Sequence, residues 1–128
     1  METNATNKII FKELSYKVCG LCFEIHNLLG RFRNEKQYAD ALEKLFIENG
    51  LKYQREFAIP TSFIGEHKGR NRVDFLLEDV IVLDLKAKTL ITKDDYFQMQ
   101  RYLVSANKKL GIIVNFRQKY LSPKRVLG

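Results

Sequence analysis

The sequence lacks several patterns that would assign it to other classes of protein. No run approaches the roughly 18 uninterrupted apolar residues that a membrane helix needs, so we expect no membrane-spanning segment. The N-terminus, METNATNKII, lacks the charged-then-apolar order of a signal peptide. These two absences predict a soluble, cytoplasmic protein with no membrane partner.

Cysteine and histidine are scarce, with two residues of each. Cys19 and Cys22 have a spacing that also occurs in redox pairs and in half of a zinc site. However, no second cysteine pair is present to complete a tetrahedral site, and the histidines are only His26 and His67. Both cysteines lie within a helical pattern. We therefore expect free core thiols, which favours a reducing compartment.

Size and charge narrow the class further. The 128 residues, of which 45% are hydrophobic, suffice for one compact core but not for two ordinary domains, so we expect a single domain over 1–128. The 22 Lys and Arg against 15 Asp and Glu give a formal charge of +7. Such a charge favours a polyanionic partner, because each cation near a phosphate releases counterions. Composition alone is also compatible with a basic protein that has no polyanionic partner.

Two helices are predicted in the first half of the chain. Residues 1–7 are polar and carry no helical period, so we expect an unstructured start. Apolar residues then recur at helical spacing over about 8–29, and Gly30 is a typical residue at which to end that helix.

The second helix is predicted from its capping residues. Asn34 and Gln37 form the pattern of a capping box, and Asn49-Gly50 is a stop signal. Glu35 would then lie in the first turn, where a favourable interaction with the helix dipole is by itself a sufficient reason for an acid. Tyr38 lies on the apolar stripe of this helix, which favours core packing.

Strands are predicted beyond Gly50. LKYQREFAIP and TSFIGEHKG predict two short strands, and RVDFLLEDVIVLDLKAK predicts two more. Thr92 with Asp95 begins a third helix, KLGIIVNF is a final strand, and a basic tail follows. The order is α-α-β-β-β-β-α-β. Because a helix crossover usually delivers a strand parallel to an earlier one, we expect an α/β (α+β) fold with a mixed sheet flanked by helices.

Charged residues interrupt the apolar run at 73–88. Asp84 and Lys86 are two residues apart, so both side chains project from one face of a strand. Asp74 can join them only if the hairpin has an odd loop or a bulge, which the functional interpretation therefore predicts. A three-residue loop, Glu78-Asp79-Val80, sets Asp74 opposite Asp84, whereas a two-residue turn would send the two carboxylates to opposite faces.

Two interpretations of these charges remain open on the residues alone. Two converging carboxylates repel unless a cation lies between them, and Mg²⁺ or Mn²⁺ suits oxygen ligands. Such an ion would lower the pKa of a bound water, and Lys86 beside it would orient or deprotonate that water. The alternative is a salt bridge between Lys86 and either aspartate at the exposed end of the sheet.

The combination of Asp74 with the DLK of residues 84–86 resembles the PD-(D/E)XK nuclease superfamily. More closely, the chain is similar to the GxxExxY proteins within it. Five segments carry the resemblance in order, namely CFEIHNLLG, EKQYADALEKLFIENGL, NRVDFLLEDVIVLDLKA, FQMQRYLVSANKKLGIIVNF and the late KR pair. It implies a restriction-endonuclease-like core. Phe32, at a glycine position of the name motif, and Val73, at the proline of the superfamily name, depart from the pattern, and Asp84 stands where glutamate is commoner.

The resemblance also implies a set of site residues. Asp74 and Asp84 would bind Mg²⁺ or Mn²⁺ together with the backbone carbonyl of Leu85, and Glu35 would complete the acidic shell. Lys86 would act on the attacking water and Gln98 would assist it. Tyr38 matches the tyrosine of the name motif.

The leading functional hypothesis is therefore a metal-dependent nuclease that hydrolyses nucleic acid, with DNA as the expected substrate. The basic residues near the acids could contact phosphates, and we expect this of Arg33, Lys36, Arg70 and Arg72. A loop of that kind is also often only hydrated. The alternatives are a nucleic-acid-binding or scaffold module with little catalysis, and a partner-dependent protein such as one half of a homodimer.

Overall fold

The computed structural model describes the backbone of residues 2–128 and the side chains of residues 11–128. The helices are α1 (Glu2–Leu29), α2 (Glu35–Glu48) and α3 (Lys93–Ala106). The strands are β1 (Tyr53–Gln54), β2 (Phe57–Ala58), β3 (Arg72–Val73), β4 (Phe75–Leu77), β5 (Ile81–Lys86), β6 (Leu110–Asn115) and β7 (Lys124–Leu127). The prediction of an unstructured start was wrong for residues 2–7, which belong to α1, because extending a helix that has already formed needs no apolar stripe. Within the described part, no helix is long and apolar enough to cross a membrane.

A five-stranded sheet in the order β1-β4-β5-β6-β7 forms the centre of the molecule. Strands β5 and β6 are parallel and joined through α3, whereas the other neighbouring strands in this sheet are antiparallel. The predicted mixed sheet and the α/β fold class are therefore confirmed. Strands β2 and β3 form a separate antiparallel pair.

Helices cover both faces of the sheet, and the alternation of β5 shows which residues face which layer. Ile81, Leu83 and Leu85 pack into the core beneath α1 and α2, with Phe46 and Phe75. Val82 points the other way, into the core beneath α3. Because side chains alternate along a strand, Asp84 and Lys86 share the α3 face with Val82. Asp84 and Lys86 thus lie at the C-terminal end of β5, where the apolar part of this face ends.

The predicted helix ends are confirmed at their caps. Helix α1 ends just before Gly30, which has φ +77. The N-cap Asn34 accepts a hydrogen bond from the Gln37 backbone, and the Gln37 side chain accepts one from the Asn34 backbone, which completes the capping box. Thr92 begins α3, where Asp95 Oδ2 accepts hydrogen bonds from the Thr92 backbone N–H at 2.7 Å and from its hydroxyl at 3.2 Å.

Three strand predictions were wrong. The segment TSFIGEHKG forms bends and turns, because Gly65 and Gly69 take positive φ values of 96 and 74, which break an extended strand. The segment before the hairpin divides into β3 and β4 at Asp74. The tail forms β7, an edge strand on β6, where the buried Val126 alternates with exposed Arg125 and Leu127. The structure therefore has seven strands, five before α3 and two after it, which is two more than the four before α3 and the one after it that the sequence predicted.

Candidate functional site

The register of the β4–β5 hairpin decides whether the two aspartates meet. Leu77 pairs with Ile81, and Phe75 pairs with Leu83. Extending the register by one residue sets Asp74 across from Asp84. The connection is the three-residue loop 78–80, in which Glu78 and Asp79 have φ values of 49 and 60. The predicted odd loop is confirmed, and both carboxylates lie on the same face of the sheet.

The carboxyl group of Asp74 interacts with the backbone of Leu85 and with the carboxyl group of Asp84. Its Oδ2 accepts a hydrogen bond from the Leu85 backbone N–H at 2.7 Å. Burial first, and then the charge and hydrogen bonding of Asp84 and the charge of Glu35, together raise the pKa of Asp74 to about 7 against the lowering effect of the Leu85 N–H. Without a cation between them, the two aspartates therefore favour a state that retains a proton.

Lys86 lies beside the pair. Its Nζ is 3.0 Å from Asp84 Oδ2 and donates to Gln98 Oε1 at 3.4 Å. Burial lowers the pKa of Lys86, but the surrounding carboxylates, Asp84 first among them, raise it by more, so that its pKa is raised overall. Lys86 is therefore a cation at neutral pH. The salt bridge between Lys86 and Asp84 that the sequence suggested is present. Lys86 also contacts Gln98 of α3, which therefore lies beside the aspartates.

Glu35 approaches this group from the N-terminus of α2. Burial raises its pKa, Asp84 adds to that increase, and Lys86 and Lys88 oppose it. Glu35 and Asp74 line one cavity of about 540 Å³, together with Lys36 and Arg55. Among the described side chains, no three His, Cys, Asp or Glu residues lie close enough to hold an ion by themselves. Glu35 therefore borders the aspartate pair and does not form a compact cluster with it.

Tyr38 is a core residue, as its position on the apolar stripe predicts. Its ring is fully buried and stacks on Phe116, with centroids 4.1 Å apart and planes inclined by 11°. Its hydroxyl donates to the Gly30 carbonyl at 2.6 Å and accepts from the Arg33 N–H at 3.2 Å. Tyr38 thus fixes the turn between α1 and α2 from which Glu35 projects.

Asn115 is a structurally important residue that the sequence analysis missed. Its side chain is 1% exposed at the end of β6. Its Oδ1 accepts hydrogen bonds from the backbone N–H groups of Lys88 and Arg117 at 3.1 and 3.3 Å, and its Nδ2 donates to the Lys88 carbonyl at 2.7 Å. Asn115 therefore joins the segments that leave β5 and β6. The only sequence signal is a single amide after an apolar run.

Lys88 and Asp95 form a second ion pair near the site, at 2.6 Å. Burial would raise the pKa of Asp95, but the hydrogen bonds from Lys88 and the Thr92 backbone, with the charges of Lys88 and Lys86, lower it overall. Asp95 was predicted only as a capping residue. Its carboxylate also fixes Lys88, which affects the pKa of Glu35 across the site.

The predicted phosphate-contacting residues all have exposed side chains. Arg33 lies in the α1–α2 turn, Lys36 lines the cavity shared by Glu35 and Asp74, and Arg70 and Arg72 precede Asp74 along the chain. Among the described side chains, none of the four forms an ion pair. Their charges are therefore available to an anionic ligand beside the two aspartates.

The cysteines take the structural role expected of them. Cys22 is buried, Cys19 is partly buried, and both are free thiols. Burial raises the pKa of each thiol. Both are therefore protonated and poorly reactive at neutral pH.

A family model of the PD-(D/E)XK nuclease superfamily matches residues 12–126. The chain belongs to this superfamily. No curated protein and no solved structure matches the chain. The mixed sheet is consistent with this superfamily, and Asp74, Asp84 and Lys86 correspond to the acidic and lysine positions in its name.

Members of the PD-(D/E)XK superfamily are typically nucleases that use divalent metal ions. The donor set at the β4–β5 hairpin fits such an ion. Asp74 and Asp84 offer hard oxygen atoms, and the pKa of Asp74 is raised first by burial and then by the charge of Asp84, both of which a bound cation would offset. The cation of Lys86 offsets part of that charge through Asp84.

Proposed function

We propose that this protein is a metal-dependent nuclease that hydrolyses phosphodiester bonds in DNA. The observation that carries the proposal is the register of the hairpin, which faces Asp74 toward Asp84 with Lys86 beside them, in a chain of the PD-(D/E)XK superfamily. Two neighbouring carboxylates that are largely buried destabilise the folded state by themselves. They are useful if they bind a cation next to a phosphate.

The proposed roles follow from the contacts of each residue. Asp74 and Asp84, with the Leu85 carbonyl and with Glu35 from the neighbouring helix, would hold Mg²⁺ or Mn²⁺. A bound ion of this kind lowers the pKa of a water molecule and neutralises charge on a phosphoryl oxygen. Lys86, as a cation, would stabilise negative charge on the phosphate or orient the attacking water by donating hydrogen bonds. Gln98 is proposed as a positioning residue that acts through Lys86.

The proposed path of the nucleic acid crosses the basic side chains around the cavity. Arg33 and Lys36 would contact phosphates on the α2 side, and Arg70 and Arg72 would do so on the β3 side. We also propose that the protein is a GxxExxY-type member of the superfamily, a proposal supported by Glu35 and Tyr38 on one helix. A cytoplasmic location is supported by the two free thiols. Homodimerisation stays a prediction.

A weakly catalytic nucleic-acid-binding module is the second candidate. It is favoured by the position of Glu35, which does not complete a compact acidic cluster with the aspartates among the described side chains. The two candidates share the basic surface and differ in whether the bond is broken. Cleavage assays therefore separate them.

The test compares wild type with Asp84→Asn on single-stranded, duplex, flap and branched DNA, with Mg²⁺, with Mn²⁺ and with chelator. Cleavage that needs the metal and is lost in Asp84→Asn supports the nuclease. Asp79→Asn is the matched control, because Asp79 lies in the loop of the same hairpin, is exposed and pairs with Lys108. Tight binding without cleavage under every metal would support the binding module instead.

A further inference from the structure

Two loops beside the candidate site carry a cluster of aromatic and basic side chains that the proposed chemistry does not use. One is the turn between α1 and α2, and the other follows β6. Phe32 and Tyr120 are 75% and 80% exposed. We refer to this cluster as the aromatic-basic platform, and it comprises Arg31, Phe32, Arg117, Lys119 and Tyr120.

The side chains of the platform are arranged around the exposed rings. The guanidinium carbon of Arg31 is 4.8 Å from the centroid of the Phe32 ring, and that of Arg117 is 5.8 Å from it. The Nζ of Lys119 is 5.5 Å from the centroid of Tyr120. Among the described side chains, none of these three cations forms an ion pair. The positive charge around Phe32 is therefore available to an anion.

The two loops are tied to each other and to the core. Arg117 Nε donates to the Arg31 carbonyl at 2.9 Å, which joins the loops directly. His26 Nε2 lies 2.8 Å from the Gln118 carbonyl, and the Tyr38 hydroxyl bonds the Gly30 carbonyl. Single exposed apolar residues are common on protein surfaces. Phe32 differs because it lies in an anchored loop beside the guanidinium groups of Arg31 and Arg117, which have no acidic partner among the described side chains.

The platform lies at the edge of the sheet that carries the candidate site. Lys86 pairs with Asn115 in the parallel β5–β6 register, and Arg117 follows Asn115 by two residues. On the other side, Phe32 precedes Glu35 by three residues. Because parallel strands end at the same edge, the chain leaves β6 toward the platform beside the end of β5. A polynucleotide bound at the aspartates would therefore extend over these loops.

We propose that the aromatic-basic platform binds an unpaired nucleotide of the substrate, with the base stacked on Phe32 in place of a guanidinium group that lies over the ring, and with the adjoining phosphates contacted by Arg31 and Arg117. Every base has a π face, whereas a base within a duplex is already stacked on its neighbours, so an exposed ring with free cations selects single-stranded segments. This inference rests on the proposed nuclease function. It assigns the substrate class as DNA that is single-stranded next to the cleaved bond.

The test measures binding in the cleavage-deficient Asp84→Asn background, by fluorescence anisotropy with single-stranded and duplex oligonucleotides of one sequence. Phe32→Ala is expected to weaken single-strand binding about tenfold and to leave duplex binding nearly unchanged, because one stacked base is lost. Phe32→Trp should retain single-strand binding, whereas Phe32→Leu, which is apolar but not aromatic, should lose it. Tyr16→Ala is the matched control, since Tyr16 is 83% exposed on α1 and lies outside the platform.

A second measurement reports stacking without any cleavage. Single strands carrying 2-aminopurine should show fluorescence quenching on binding to Asp84→Asn and little quenching with Phe32→Ala in that background. Equal losses on single strands and duplex, or a Phe32→Leu protein that binds as well as Phe32→Trp, would overturn the platform. Failure of the nuclease proposal has a different signature, in which wild type binds and quenches but cleaves no DNA with any metal.

Discussion

Asp74 and Asp84 are the residues at which local chemistry most directly determines the state of the site. One backbone N–H, from Leu85, is the hydrogen bond that stabilises the ionised form of Asp74. Burial and the adjacent carboxylates act against it and raise the pKa of Asp74 to about 7. The protein therefore holds a proton in its folded state that the unfolded chain would release near pH 4.

We predict a characteristic pH dependence of stability in metal-free buffer. The folded-state pKa of Asp74, about 7, lies above its ordinary value of 3.8, so its ionisation makes the folded state less stable as the pH rises between these values. Asp74→Asn removes this contribution. It should become more stable than wild type by about 2–4 kcal/mol at pH 8, with no advantage at pH 4. Urea denaturation of both proteins at successive pH values checks this, and parallel stability curves would contradict it.

Addition of a divalent metal should make wild type more stable than Asp74→Asn at pH 8. Mg²⁺ or Mn²⁺ binds the folded state at the carboxylates, so it should raise the unfolding midpoint of wild type at pH 8. Asp74→Asn should show a smaller rise, because it offers one carboxylate fewer. Thermal denaturation with increasing metal measures the difference. Equal shifts in the two proteins would place the binding elsewhere.

Lys86 should matter for the rate of cleavage more than for substrate binding. Lys86→Met removes the cation beside Asp84, and we expect the maximal rate to fall about 10²–10³-fold, the usual effect of losing one group that stabilises transition-state charge. Gln98→Met should lower the rate by less and leave KM unchanged, because Gln98 acts through Lys86. Steady-state kinetics on one oligonucleotide check both. A raised KM with an unchanged rate would assign Lys86 to binding alone.

At the scale of elements, the hairpin and the caps could be predicted because each depends on a few neighbouring residues. The odd loop 78–80 is one of two loop lengths that the sequence allows and the one that brings Asp74 to Asp84, and the box of Asn34 and Gln37 is local. Strand β7 could not be predicted, since only Val126 in it is buried and its pairing with β6 is set by the rest of the sheet. Long-range pairing is the information that a local pattern lacks.

The turn between α1 and α2 should depend on one hydroxyl. Tyr38→Phe keeps the ring stacked on Phe116 but removes the bonds to the Gly30 carbonyl and the Arg33 N–H. We expect a loss of about 1–2 kcal/mol in the free energy of unfolding, because these are partly buried hydrogen bonds. Tyr16→Phe, at an exposed position of α1, should have no effect. Chemical denaturation of the two variants compares them, and equal stabilities would show that the hydroxyl contributes nothing.

For the molecule as a whole, the charge of +7 is expected to act through a limited part of the surface. Replacing Arg33, Lys36, Arg70 and Arg72 together by Gln should reduce the slope of log affinity against log salt by about three to four, since each phosphate contact contributes about one counterion. Four exposed basic residues elsewhere provide the control, for example Lys12, Lys17, Lys44 and Lys93. A similar loss in the control set would mean that net charge alone governs binding.

The candidate site as a whole could be predicted in part. Strand periodicity places Asp84 and Lys86 on one face, an odd loop or a bulge adds Asp74, and the family resemblance assigns the three residues to one site. Asn115 was missed, because a buried amide that bonds two backbone segments has no periodic signature. The distance of Glu35 from the aspartates was also not predictable, since it depends on how α2 packs on the sheet.

The bonds of Asn115 have a consequence for how a substrate would be accommodated. A buried amide that joins the chain after β5 to the chain after β6 holds the backbone of Lys88 close to the backbone of Arg117. Movement of the segment after β5 toward the segment after β6 is then unfavourable. The bound polynucleotide, rather than the protein, would have to change its conformation. Flexible or already distorted strands would fit such an unyielding frame at the lowest energetic cost.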